Sequence, residues 1–97
     1  MSQVFVEYRV KPEERQRFLS WAERLTSREK QVSVYEGTDQ PNLFVEVWDG
    51  LGYKEFAALK ARRIGPEGDV DQELAALSQY VEGGGSKIHI WHFKKVK

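Results

Sequence analysis

The sequence has no cysteine, so disulfides, thiolate nucleophiles and cysteine-based zinc sites are excluded. It also lacks an excess of either charge, with 15 Lys and Arg against 15 Asp and Glu. General affinity for nucleic acid or an anionic membrane comes from surplus positive charge, so neither partner is expected. The basic runs "KARR" (60–63) and "KKVK" (94–97) read as a solvated helix face and a soluble tail. No apolar run approaches the ~20 residues that cross a bilayer. The opening "VFVEYRV" is too short and too charged for the apolar part of a secretion signal. A soluble cytoplasmic protein is the expectation.

What the chain does have is alternation. Residues 3–10 set Val4, Val6, Tyr8 and Val10 against Phe5, Glu7 and Arg9, which is the period of a strand. Pro12 then suits the first turn of a helix, where a missing N–H costs nothing, and Glu13 and Glu14 sit at the positive end of its dipole. Phe18, Trp21, Ala22 and Leu25 recur at helical spacing, so a helix is expected over 12–28. "KQVSVYEG" and "LFVEVWDG" read as two strands joined through "GTDQPN", a run of turn residues, and so as a hairpin.

"GYKEFAALKARRIG" is a second helix, with Tyr53, Phe56, Ala57, Leu59 and Lys60 near one stripe. "PEGD" interrupts it, and "DVDQELAALSQYV" resumes, capped by Asp69 or Asp71, with Leu74, Leu77 and Val81 buried. "EGGGS" is a glycine hinge into a last strand, "KIHIWHFKKVK".

The order β-α-β-β-α-β over residues 1–97 makes one domain of class α+β. Two right-handed crossovers around a hairpin give a ferredoxin-like plait: a four-stranded antiparallel sheet, order 4-1-3-2, with the helices on one face. The helices need an apolar floor. Val4, Val6, Val10, Val32, Val34, Leu43, Val45, Val47, Ile88 and Ile90 supply one in a consistent phase. The opposite face then holds Phe5, Glu7, Arg9, Ser33, Tyr35, Phe44, Glu46, Trp48, His89, Trp91 and Phe93.

An aromatic patch of that extent is rarely left open on a monomer. A second copy of the sheet would cover it, giving a homodimer with a partly enclosed space between two sheets. Stacked RNA bases would be another cover. Glu7 and Glu46 on the central strands, and the absence of a basic-aromatic consensus in "LFVEVWDG", argue against RNA.

The strand "VFVEYRV", the helix opening "KPEERQRFLSWA", the hairpin into "LFVEVWDG", then "YKEFAALKARRI" and "IHIWHF" together resemble the dimeric α/β-barrel superfamily. That group includes antibiotic-biosynthesis-type monooxygenases, NIPSNAP-like and EthD-like proteins and heme-degrading monooxygenases. The resemblance covers nearly the whole chain but is one of architecture, with no short diagnostic motif. It implies a homodimeric α/β barrel that binds a small apolar or aromatic molecule between its sheets, with cofactor-independent monooxygenase-like activity as one outcome. A non-catalytic interaction or metabolite-sensing dimer with a filled interface is the other. Heme degraders use a helix histidine with an inward asparagine and tryptophan. The helices expected here hold no histidine, and the face has no asparagine, so no cofactor is expected.

Glu7, Glu46 and His89 share the open phase and are the candidate catalytic residues, as a proton-transfer set, if their registers align. A charge-paired network with Arg9 is the plainer reading of the same residues. No metal is assigned to them. Phe5, Arg9, Tyr35, Phe44, Trp48, Trp91 and Phe93 are the candidate ligand-binding residues, or else interdigitate with a second subunit. On either reading, replacing Trp48 or Trp91 by Ala should loosen the dimer.

Overall fold

A computed structural model describes residues 2–64 and 71–97. Strand β1 (Ser2–Arg9) alternates buried and half-buried side chains along its length. A 3-10 turn at Pro12–Glu14 leads into α1 (Arg15–Arg28), which buries Phe18, Trp21, Ala22 and Leu25 at the expected spacing. Strands β2 (Val32–Gly37) and β3 (Gln40–Asp49) form the hairpin. Its turn is tighter than "GTDQPN" suggests: Gln40 already pairs with Gly37, and a register shift follows Glu36. Asn42, at φ 69°, sits in the left-handed region at this irregularity.

Helix α2 spans Tyr53–Ile64, and the short α3 spans Gln72–Ala75 and continues as a 3-10 turn, Ala76–Gln79. Asp71 caps α3, accepting from the backbone N–H of Glu73 and Leu74 at 3.0 and 3.2 Å. The "PEGD" interruption and the alternative cap Asp69 lie outside the described residues. The glycine stretch contains a 3-10 turn, Gly84–Lys87, entered through Gly83 at φ 80°, and it delivers the chain to β4 (His89–Lys94). Among the described residues, no helix is long and apolar enough to cross a membrane.

The sheet order is β2-β3-β1-β4, all antiparallel, with the helices on one side. This is the expected ferredoxin-like α+β arrangement. One expectation fails. β3 enters the sheet in the phase opposite to the one assigned from sequence. Directly opposed residues of antiparallel neighbours share a face. Val4 lies opposite Trp48, Val6 opposite Glu46, and Tyr8 opposite Phe44. Phe44, Glu46 and Trp48 therefore face the helices and are buried, while Leu43, Val45 and Val47 join Phe5, Glu7 and Arg9 on the open side.

The reason lies in β3's lack of a polar face. Both its phases are largely apolar, so alternation alone cannot choose between them. Turning Phe44 and Trp48 inward buries about 150–250 Å² of ring per residue, more than the valines offer. It also forces Glu46 inside, at a desolvation cost of several kcal/mol unless the carboxylate is fully paired. The paired network described below meets that condition. The rings fill the helix–sheet layer: Phe18 lies tilted against Phe44, ring centroids 4.3 Å apart, and meets Tyr8 edge-on at 5.7 Å.

Candidate functional site

Glu46 sits at the centre of a buried polar cluster. The Tyr8 hydroxyl donates to its Oε2 at 2.6 Å, and the Trp48 indole N–H donates to its Oε1 at 2.9 Å. Arg63 of α2 also donates to Oε1, forming a salt bridge in which the two side chains are 6% and 0% exposed. Each donor is placed by its element. Tyr8 and Trp48 share Glu46's side of the sheet, and Arg63 comes down from the helix above. Burial, then the neighbouring Glu46 charge, pushes the Tyr8 hydroxyl far above its ordinary pKa, with Arg63 offsetting part of that rise. Tyr8 thus keeps its proton and serves as a hydrogen-bond donor, and Glu46 has both oxygens occupied.

Arg63 has more donors than the cluster uses. Its Nε and Nη1 are buried and have no partner among the described residues. Unmatched buried donors cost roughly 1–3 kcal/mol each. Arg63 also lines a cavity of about 230 Å³ between α2, α3, the glycine turn and β4. Leu74, Ala75, Ile88 and Ile90 give that cavity apolar walls, and Lys60 and Ser78 supply its other polar groups. The Ser78 hydroxyl is already used, donating to the Ala75 carbonyl at 3.1 Å.

The open side of the sheet is a separate surface. Phe5 lies opposite both Val47 and Trp91, and Glu7 lies opposite both Val45 and His89. Phe93 meets Phe5 edge-on at 5.2 Å, and the His89 ring stacks on Trp91 at 5.7 Å. Tyr35, Trp91 and Phe93 are 57%, 44% and 53% exposed. Arg9 turns away from Glu7 and donates to Gln40 and to the Pro41 carbonyl, at 3.2 and 3.4 Å. At one end of this face, Glu7, Arg9, Leu43 and His89 border a shallow hollow with Glu82 and Lys87.

The candidate residues thus separate into two groups. Glu7, His89, Phe5, Arg9, Tyr35, Trp91 and Phe93 share the open face as expected. Glu46, Phe44 and Trp48 do not, and Glu46 cannot converge with Glu7 and His89 because the sheet lies between them. Among the described residues, no group of three or more His, Asp or Glu side chains is placed to hold a metal. His92 is half-buried against Phe56 (rings stacked at 5.4 Å), with its Nε2 3.2 Å from the Leu51 carbonyl.

Sequence reasoning misses Arg63, which it leaves in the solvated "KARR" run. The signal was present: Phe56, Leu59 and Arg63 recur at helical spacing, so an arginine occupies a position on the buried stripe. Tyr53 and Lys60, placed near that stripe from sequence, are exposed.

No family model matches the chain, and no curated protein is significantly similar to it. Solved structures do match. An antibiotic biosynthesis monooxygenase superposes with a TM-score of 0.72 over 100% of both chains, at 16% identity. A conserved protein from Methanosarcina mazei Go1 gives 0.67 at 20% identity, covering 97% of this chain and 91% of its own. A Deinococcus radiodurans protein assigned to the same monooxygenase class gives 0.68 at 18% identity, over 100% and 94%. From end to end, this chain has the ferredoxin-like fold of the antibiotic-biosynthesis-monooxygenase-like proteins.

Proposed function

We propose that this protein is a homodimeric α/β barrel whose subunits pack through their open sheet faces, each holding a small apolar or aromatic molecule between its own helices and sheet. The observation that carries the dimer is the make-up of the open face. Leu43, Val45, Val47, Phe5, Tyr35, Trp91 and Phe93 are gathered there, with Glu7, Arg9 and His89 toward one end. Surfaces of this kind are normally covered, and a second copy offers the same apolar centre and polar end.

With Glu46, Phe44 and Trp48 on the other side, the open face is drier than the sequence suggests. That favours a filled interface between the sheets and moves the ligand to the cavity that Arg63 lines. The activity to test there is cofactor-independent oxygenation, in which the substrate supplies the electrons. For a naphthol, the ring carbon para to the hydroxyl would lose its hydrogen and take one oxygen atom from O₂. The hydroxyl would become the second carbonyl, and the other oxygen atom would leave as water.

Light scattering over a dilution series tests the dimer: the wild type should show twice the monomer mass, and Trp91→Ala should dissociate at higher concentration. A persistent wild-type monomer would overturn this reading. Oxygen uptake with naphthols separates a catalyst from a binding protein: uptake that depends on enzyme concentration supports the first, and binding without uptake supports the second.

A further inference from the structure

We infer that the two subunits associate with proton uptake: His89 becomes charged as the second copy covers the open face, and it pairs with Glu7 of its own chain. The inference rests on the reading that the subunits pack through this face, and it adds a dependence on pH. Glu7 lies on β1, an inner strand of the sheet, and is half-buried already in the single chain. It stands directly opposite His89 of β4. Opposed side chains of antiparallel strands have Cβ atoms about 4.5–5.5 Å apart, within reach of an ion pair. Among the described residues, no salt bridge engages either of them.

Covering the face takes water away from the Glu7 carboxylate, and a buried carboxylate without a partner costs several kcal/mol. The groups around Glu7 decide what offsets that cost. On β3 its neighbour is Val45, and Tyr35 of β2 stands beyond Val45 in the same row. Arg9, next but one on β1, is committed to Gln40 and the Pro41 carbonyl. Lys87 and Glu82 border the hollow at the end of the face and are exposed, with opposite charges that offset each other. Glu46 and Arg63 lie on the far side of the sheet. That leaves His89, whose ring stacks on Trp91 at 5.7 Å within the surface to be covered. Imidazole is the side chain whose charge changes between about pH 5 and 8. In its neutral form His89 would leave the carboxylate uncompensated. In its charged form the pair enters the interface with no net charge.

A dimer that holds protons its separated subunits do not is strengthened as pH falls. Light scattering over dilution series of the whole chain, from pH 6 to pH 8, reads this directly. The wild-type Kd should weaken about tenfold or more as pH rises across that range. The range lies far above the value of about 2 at which Glu36 titrates, so folded subunits are compared throughout. His89→Gln should flatten the profile and keep the affinity near its weak, high-pH level. Glu7→Gln should also remove the acid advantage, and at pH 8 it should dimerise more tightly than the wild type, because an amide replaces a carboxylate without a partner. His92, the other histidine, lies on the helix side against Phe56, so His92→Gln should keep the wild-type slope.

A wild-type dimer of constant affinity over this range would overturn the inference while leaving the dimer intact, and would assign Glu7 to a cation of the second copy. A slope that survives in His89→Gln or in Glu7→Gln, each shown to be folded by circular dichroism, would also overturn it, because the proton would then be taken up elsewhere. A slope lost in a folded His92→Gln would do the same. A chain that stays monomeric at every pH would overturn both the inference and the reading that the sheets pack together.

Discussion

The Tyr8 hydroxyl and the Glu46 carboxylate meet at 2.6 Å inside the helix–sheet layer, from directly neighbouring strands. This contact, with Trp48 and Arg63 on the other oxygen, lets a carboxylate sit in the core of a 97-residue chain. Tyr8→Phe removes one neutral donor to a buried charge and should cost about 1–3 kcal/mol in urea denaturation, with the fold retained. A stability unchanged within a few tenths of a kcal/mol would mean that the hydroxyl contributes nothing to holding Glu46.

Arg63→Met removes the only cation paired with Glu46 among the described residues. It should destabilise by about 3–5 kcal/mol, the cost of leaving a buried charge unpaired. Adding Glu46→Gln should recover much of that loss, because a neutral amide is far cheaper to bury. If the double variant is as unstable as the single one, the cluster is held by packing and not by charge.

The two tryptophans that sequence reasoning treats alike should behave differently. Trp48 is buried beneath the sheet, so Trp48→Ala should cost about 3–5 kcal/mol of folding stability by opening a core cavity. Trp91 is 44% exposed on the open face, so Trp91→Ala should leave monomer stability within ~1 kcal/mol and instead weaken self-association. Denaturation and light scattering on the same two variants read both effects. The reverse pattern would contradict the phase of β3.

Acid should loosen the packing of α1 on the hairpin. Arg15 donates to both Glu36 oxygens, at 2.6 and 2.9 Å, and the Asn42 N–H adds a third donor at 2.8 Å. The Arg15 hydrogen bonds, then the Asn42 N–H, hold Glu36 down at about 2, against an ordinary value of 4.5. A folded pKa below the unfolded one means stability that is complete above about 4.5 and lost as pH falls toward 2. Asp71 works in the same direction. Burial pushes it up, but Arg62, the Leu74 N–H and Arg28 together pull it below its ordinary value. Glu36→Gln should flatten the acid limb of a stability–pH curve between those pH values and leave its neutral part nearly level. An unchanged acid limb would show that the Arg15 contact is not formed in solution.

The element order, the strand neighbours and the burial of Phe18, Trp21 and Leu25 all follow from residue spacing. Those signals are local: a period of two or of 3.6, a proline at a helix start, a cluster of turn residues between strands. The face of β1 was equally legible, because Glu7 and Arg9 mark its wet side. β3 has no such marker. A carboxylate normally votes for solvent, and here Glu46 points inward because Tyr8, Trp48 and Arg63 wait for it there. Arg63 stands 17 residues further along the chain, and no pattern within β3 refers to it.

By itself, then, the sequence determined an α+β plait and an apolar stripe on each helix. Tertiary structure decided which side of the sheet receives the two largest rings of β3, and with them the carboxylate between them. Local periodicity says that residues alternate, but only the partner that each face meets says which way they point. That partner is a helix carrying a buried arginine, and the energy of meeting it arises from contacts across the fold.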